Sequence, residues 1–171
     1  MTTWIGTLAR TGVVDAAEAA AGEAVAAFVV GPERLDEVRA WLVETAEPST
    51  AVRERRAAVE VCIAMAHADR RLHPEESHLL SRLVAASGLD EDTQDALVQA
   101  VHEPPTLDHV EARLTHPVLR ELILALAWEL ALADGRVDDA EGRFFDRLAR
   151  RLDVAPERAE EIRAAVDQRI D

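Results

Sequence analysis

ALADGRVDDAEGRFFDRL, residues 131–148, closes a long apolar run and opens an amphipathic one. The run ends in Asp134, and Asp138, Asp139 and Glu141 follow within seven positions. A carboxylate at a helix end faces the last carbonyls, the negative end of the macrodipole, where cations are favoured instead. The same pattern stands 65 residues earlier in AHADRRLHPEESHLLSRL, residues 66–83. Asp69 aligns with Asp134, Arg71 with Arg136, Glu76 with Glu141, and Arg82-Leu83 with Arg147-Leu148. The chain therefore reads as helix, acidic turn and helix, written twice.

The 65-residue offset extends from Arg55/Arg120 to Val101/Val166 and predicts three helices per copy. These fall at 51–68, 74–87 and 90–102, then at 117–133, 139–152 and 156–169. Pro104-Pro105 ends the first copy, and a short helix at 107–114 bridges to Pro117. The helices at 51–68 and 117–133 form the expected central pair. Between Leu122 and Ala133 the one charged residue is Glu129, so that helix must be covered nearly all round. Ahead of the repeat, an alanine-rich helix is predicted over 15–30, its start left open as far back as Thr2 and its end at Gly31-Pro32. A second helix, 33–45, places Leu35, Val38, Leu42 and Val43 on one face. No long strand pattern interrupts this, and the fold class is all-α, a helical bundle of roughly seven to nine helices.

Composition agrees with that class. The 171 residues are 49% hydrophobic, with only 7 glycines and few β-branched runs, a helix-favouring mixture. The net charge is -14, from 33 acidic and 19 basic residues, and every basic residue is arginine. Such a surface lacks the basic face that nucleic acid requires, and an anionic bilayer repels it. The most apolar early segment, 13–30, carries Asp15, Glu18 and Glu23, so no membrane insertion is expected. The first ten residues do not form a secretory signal, and the default expectation is a cytoplasmic location. The single cysteine, Cys62, reads as a small core hydrophobe, and Trp128, Phe144 and Phe145 also read as core.

The acidic turn supports two readings. In the structural one, Gly135 terminates one helix, Asp138 and Glu141 form a capping box for the next, and Arg136 and Arg71 neutralise Asp134 and Asp69. In the other, Asp134, Asp138, Asp139 and Glu141 form an oxygen-rich site of the kind Ca²⁺ or Mg²⁺ prefers. This is not an EF-hand, because Leu130 and Leu132 stand where its first ligands belong. The first copy departs by placing Arg70 for the glycine and His73 for the first capping aspartate. Its His67, Asp69, His73, Glu76 and His78 suit a transition metal better than a hard cation, but they match no zinc motif and read first as surface histidines. Glu129, where the first copy has Ala64, needs a buried partner, expected to be an arginine rather than a metal.

The paired turns AHADRRLHPEE and ALADGRVDDAE, with the trailing FFDRLARRLDVAPE, resemble the TerB (tellurite-resistance protein B) family. The resemblance covers about residues 49–169 and leaves 1–48 as an N-terminal helical extension before a TerB-like domain at 49–171. It implies seven principal helices and an acidic cluster proposed to bind divalent cations. Carried over by position, the ligands are Asp134, Asp138, Asp139 and Glu141, with Asp69 and Glu76 from the first copy; Glu129 and His73 are secondary candidates. It further implies a role in tellurite resistance, stress response or phage defence, alongside protein partners that include membrane-associated members. The expected function is thus a non-enzymatic, cation-responsive helical module, with a metal-free interaction scaffold as the alternative. Ca²⁺ or Mg²⁺ is favoured as cofactor and a transition metal is left open. No glycine-rich phosphate loop, nucleophile triad order or H-E-x-x-H motif points to an enzyme.

Overall fold

Proline marks where the helices begin. Five of the seven prolines are the first residue of a helix, a position where the missing N–H costs nothing and the fixed φ already suits the helix. A computed structural model describes residues 2–15, 22–68, 74–132 and 139–170. Within them run α1 Thr2–Thr11, α2 Val25–Val30, α3 Pro32–Ala40, α4 Pro48–Ala66, α5 Pro74–Ala86, α6 Glu91–Ala100, α7 Pro117–Ala131, α8 Asp139–Arg151 and α9 Pro156–Ile170. One π-helical turn, Trp41–Thr45, extends α3, and one 3-10 turn, Val110–Ala112, lies before α7. No strand occurs among the described residues, and the fold is an all-α bundle.

The bundle is built around α7. Ten of its residues are buried, from Val118 to Ala131, and α2, α3, α4, α8 and α9 all pack on it. α4 contributes a second buried run from Ala57 to Ala66. One apolar core joins Trp4, Ile5 and Leu8 of α1 to both halves of the chain.

The 65-residue period reappears in the element bounds, since α5 and α8 begin at Pro74 and Asp139, and α6 and α9 at Glu91 and Pro156. It reappears in burial as well. Leu80, Leu83, Leu97 and Val101 are buried in the first half, and Phe145, Leu148, Ile162 and Val166 in the second. It also fixes a backbone conformation: Gly88 and Asp153, each just after the second helix of its half, both lie in the left-handed region, at φ 66 and 55. Glycine adopts this conformation freely and aspartate is among the few others that do.

Three expectations need correction. Of the described residues in the helix predicted over 15–30, only Val25–Val30 are helical, 16–21 lying outside them, and α1 is a separate element ending at Thr11. The reason is a close crossing: a Cβ on Gly6 of α1 would lie 1.8 Å from the carbonyl oxygen of Gly22, which itself has φ 85. The chain folds back over α1 through two glycines, and a continuous helix would remove that contact. Second, Val43 is 54% exposed although Leu35, Val38 and Leu42 are buried. The π-helical turn, closed by Ala46 N–H to Trp41 O at 2.8 Å, inserts an extra residue and rotates Val43 off the apolar stripe. Third, the helix predicted at 107–114 is a single 3-10 turn, because His109 takes φ 55 and interrupts helical geometry upstream.

A buried carboxylate fixes how α4 meets α7. Glu54 has no exposure to water. Its Oε1 accepts the Thr115 N–H at 2.7 Å and the Thr115 hydroxyl, and its Oε2 accepts the His116 N–H at 3.4 Å. His116 is the N-cap of α7 and offers no side-chain cap of its own, so Glu54 supplies the negative charge that a helix start favours. Glu54→Ala leaves these amides at the start of α7 without their acceptor and is expected to cost about 1–3 kcal/mol. That lowers the thermal midpoint by several degrees in a chain of this size, and chemical and thermal denaturation measure it.

Candidate functional site

The segments joining α4 to α5 and α7 to α8 hold half of the sequence-predicted ligands. Asp69, His73, Asp134 and Asp138 lie outside the described residues, as does the side chain of Glu76. Asp139 and Glu141 occupy the first turn of α8, Asp139 exposed and Glu141 half-buried. Both carboxylates stand at the positive end of that helix dipole, an arrangement that is favourable with or without an ion. α7 ends at Ala131, where the Leu132 N–H bonds to Trp128 O at 3.1 Å. Among the described residues no three His, Cys, Asp or Glu side chains come together in a metal-binding group.

His67 and Glu129 are placed differently from expectation, whereas His78 is at the surface as expected. His67 is half-buried, and its Nε2 lies 2.8 Å from Val101 O, just beyond the end of α6. A carbonyl only accepts, so Nε2 carries the proton and is not a metal donor there. His78 is exposed on α5. The partner of Glu129 is not an arginine: its Oε2 accepts the Ala26 N–H at 2.9 Å, in the first turn of α2. The arginine expectation failed because it assumed a helix running through residue 26, whereas α2 begins at Val25 and exposes unpaired amides. Glu129 and Glu54 are thus alike, each lying on a long central helix and completing the start of another.

Other carboxylates are consumed by arginines. Glu121 accepts from Arg34 at 2.9 and 3.1 Å and from Arg158 at 2.7 and 3.1 Å, joining α3, α7 and α9. Glu60 is held by Arg56 at 2.9 Å and by the Arg113 guanidinium. On the far side of α7, Trp128 Nε1 donates to Asp167 Oδ1 at 2.7 Å. The Arg163 guanidinium lies 4.6 Å from the Trp128 ring and 4.7 Å from that of Phe145, and it pairs with Asp146 at 2.8 Å. Trp128 and Phe145 are core, as their spacing suggested, and Phe144 packs against that core half-buried. The pairwise signal for Glu121 was absent from the sequence, because its partners are 87 and 37 residues away.

Cys62 is fully buried, and burial pushes its thiol up to about 12. A thiol so held is not a nucleophile at neutral pH. It is expected to react with a disulfide reagent only at the rate of global unfolding, which absorbance during a denaturant series checks.

The Glu121 carboxyl feels opposing effects. Burial pushes its pKa up, and the hydrogen bonds from Arg34 and Arg158 push it down further, leaving it below the ordinary 4.5. Its contribution to stability is therefore complete above pH 4.5 and is lost as pH falls through the lower folded value. Glu121→Gln is expected to cost about 1–3 kcal/mol at neutral pH. It also flattens the acid limb of the stability profile, measured by urea denaturation between pH 3 and 7.

Among the described residues no helix is long and apolar enough to cross a membrane. No curated protein and no solved structure matches the chain. A family model does match, over residues 2–166, and so takes in α1 to α3 as well as the 65-residue repeat. Its description is a protein of unknown function, DUF533, and the chain belongs to that family.

Proposed function

We propose that the protein is a non-enzymatic, TerB-like helical module whose acidic turns, above all the one between α7 and α8, take up a divalent cation. The ligands in this reading are Asp134, Asp138, Asp139 and Glu141, with Asp69 and Glu76 contributing from the first copy. Ca²⁺ or Mg²⁺ fits a carboxylate donor set best. The ion's work is charge neutralisation, allowing crowded carboxylates to coexist and setting the angle at which α8 leaves α7. Because α7 is gripped on every side by the core, that angle determines the outer surface that α8 presents to a protein partner. The assembly served is one for tellurite or related stress response, or defence, in the cytoplasm. The observation that carries the reading is the exposed carboxylate of Asp139 at the start of α8, directly after Asp138 and five positions after Asp134, the aspartate that recurs 65 residues earlier as Asp69.

A metal-free scaffold is the second reading. What favours it is the fate of the buried and half-buried acids: Glu54, Glu60, Glu121 and Glu129 all bond to arginines or main-chain amides. Arg71 and Arg136 would then do the same for Asp69 and Asp134.

Thermal unfolding after chelation, and then with Ca²⁺, Mg²⁺, Mn²⁺ or Zn²⁺ restored, separates the two. An ion at ~100 times its dissociation constant adds about 2.7 kcal/mol, a rise of several degrees. The module reading expects that rise in wild type and not in Asp134→Asn, with Asp92→Asn as an exposed-charge control that keeps it. If no ion moves the midpoint, or if Asp134→Asn responds as wild type does, the turn is a capping device and the scaffold reading replaces the first.

A further inference from the structure

The 65-residue period brings Arg55 into correspondence with Arg120 and Gly88 with Asp153. The two arginines do the same job for the backbone. Arg120 donates through Nε to Leu114 O and through Nη2 to Glu111 O, both at 2.6 Å. Arg55 donates through Nε to Gly12 O at 3.0 Å. They differ in what faces the rest of the guanidinium. Arg120 Nη1 has the carboxylate of Asp153 at 3.7 Å. In the first half that place belongs to Gly88, which brings no carboxylate, and no atom stands within 4 Å of where its Cβ would be.

The space left there is a cleft of about 210 Å³, lined by Arg39, Arg55, Ser87, Gly12, Gly88 and Asp15. Arg39 enters from α3, its Nη1 anchored on Ala9 O at 2.9 Å. Each guanidinium is thus held by a single main-chain carbonyl and keeps further N–H groups, since the fork carries five. Among the described residues neither Arg39 nor Arg55 has a carboxylate within ion-pair distance. Arg10, Arg34, Arg56, Arg113, Arg120, Arg151, Arg158 and Arg163, by contrast, each have one. Among the lining residues two guanidinium groups stand with the one carboxylate of Asp15.

We propose that this cleft binds a small free oxyanion, a carboxylate or a phosphate, in the place that Asp153 fills beside Arg120 in the second half. Planar forks with N–H groups to spare recognise such anions through charge-assisted hydrogen bonds. The cleft is smaller than those that enclose drug-sized ligands, about 300–1,000 Å³, so the ligand is a small anion or the anionic end of a larger one. The site stands on α1, α3, α4 and the loop after α5, away from the α7–α8 turn, and does not depend on a metal there.

The test is a nitrogen-15 NMR titration of the full chain with sodium phosphate and with sodium acetate, against sodium chloride at matched ionic strength. Wild type is expected to show saturable shifts at the Gly12, Ser87 and Gly88 amides and at Arg55 Nε–H with phosphate, acetate or both. The stronger of the two identifies the oxyanion class. Arg39→Gln is expected to weaken binding about tenfold or more, with the thermal midpoint lowered only by the loss of its one hydrogen bond to Ala9 O. Gly88→Asp installs the carboxylate of the second half at a φ that Asp153 already tolerates and is expected to abolish the shifts, whereas Gly88→Asn keeps them. Shifts that merely follow chloride, or that survive undiminished in both Arg39→Gln and Gly88→Asp, overturn the proposal. If Gly88→Asp fails to fold, the Arg39→Gln titration decides alone.

Discussion

A helix without a polar face cannot lie on a surface, and α7 is such a helix. From Val118 to Trp128 its side chains are buried almost without interruption. Exposed burial area of that size costs about 25 cal/mol for each Å², so the chain is obliged to cover α7 on every side. α2, α4 and α9 lie directly on it, α3 and α8 close the remainder, and the placement of each follows from that requirement. The polar groups that do reach the interior are then constrained in turn. A buried carboxylate needs donors, and the unpaired amides at helix starts need acceptors. Glu54 and Glu129 answer both needs at once, the first serving the start of α7 and the second the start of α2.

Helix positions within the two copies of the repeat were legible because the signals are local. Proline at a first turn, an apolar stripe and the 65-residue recurrence are all visible within a short window. α5, α6, α8 and α9 sit within a residue or two of where those signals put them. The N-terminal region was not legible, and the cause is specific. Gly6 and Gly22 meet through space, so the alanine-rich stretch cannot remain one helix, yet nothing about either glycine alone announces the crossing. Val43 was misplaced by one inserted residue in a π-helical turn, which shifts the stripe without altering composition.

The acidic turns were legible as a pattern, because an aspartate ending an apolar helix conflicts with the dipole and recurs. Their partners were less so. Glu129 was rightly singled out as needing one, but its partner became readable only once α2 was known to begin at Val25. The arginine cleft was missed altogether, since Arg39, Arg55 and Gly88 come from three separate segments. One signal was nevertheless present: where the offset pairs Arg55 with Arg120, it pairs glycine with aspartate at 88 and 153. Differences between the two copies carry as much information as the likeness.

The capping of one helix by a carboxylate on another has a bearing on how the chain reaches its folded state. Glu54 and its amides are separated by 61 residues, and Glu129 and Ala26 by 103. Neither helix start can be completed by its own neighbours, so α2 and the first turn of α7 gain their caps only after distant segments have docked. Helical bundles are ordinarily rich in local contacts and fold quickly for that reason. Here two of the helix starts depend on closing long loops, which ties secondary structure to tertiary assembly and suppresses partly helical states. α2, with six residues and a cap supplied from α7, has no independent existence as a helix. Its formation reports on the arrival of the native core.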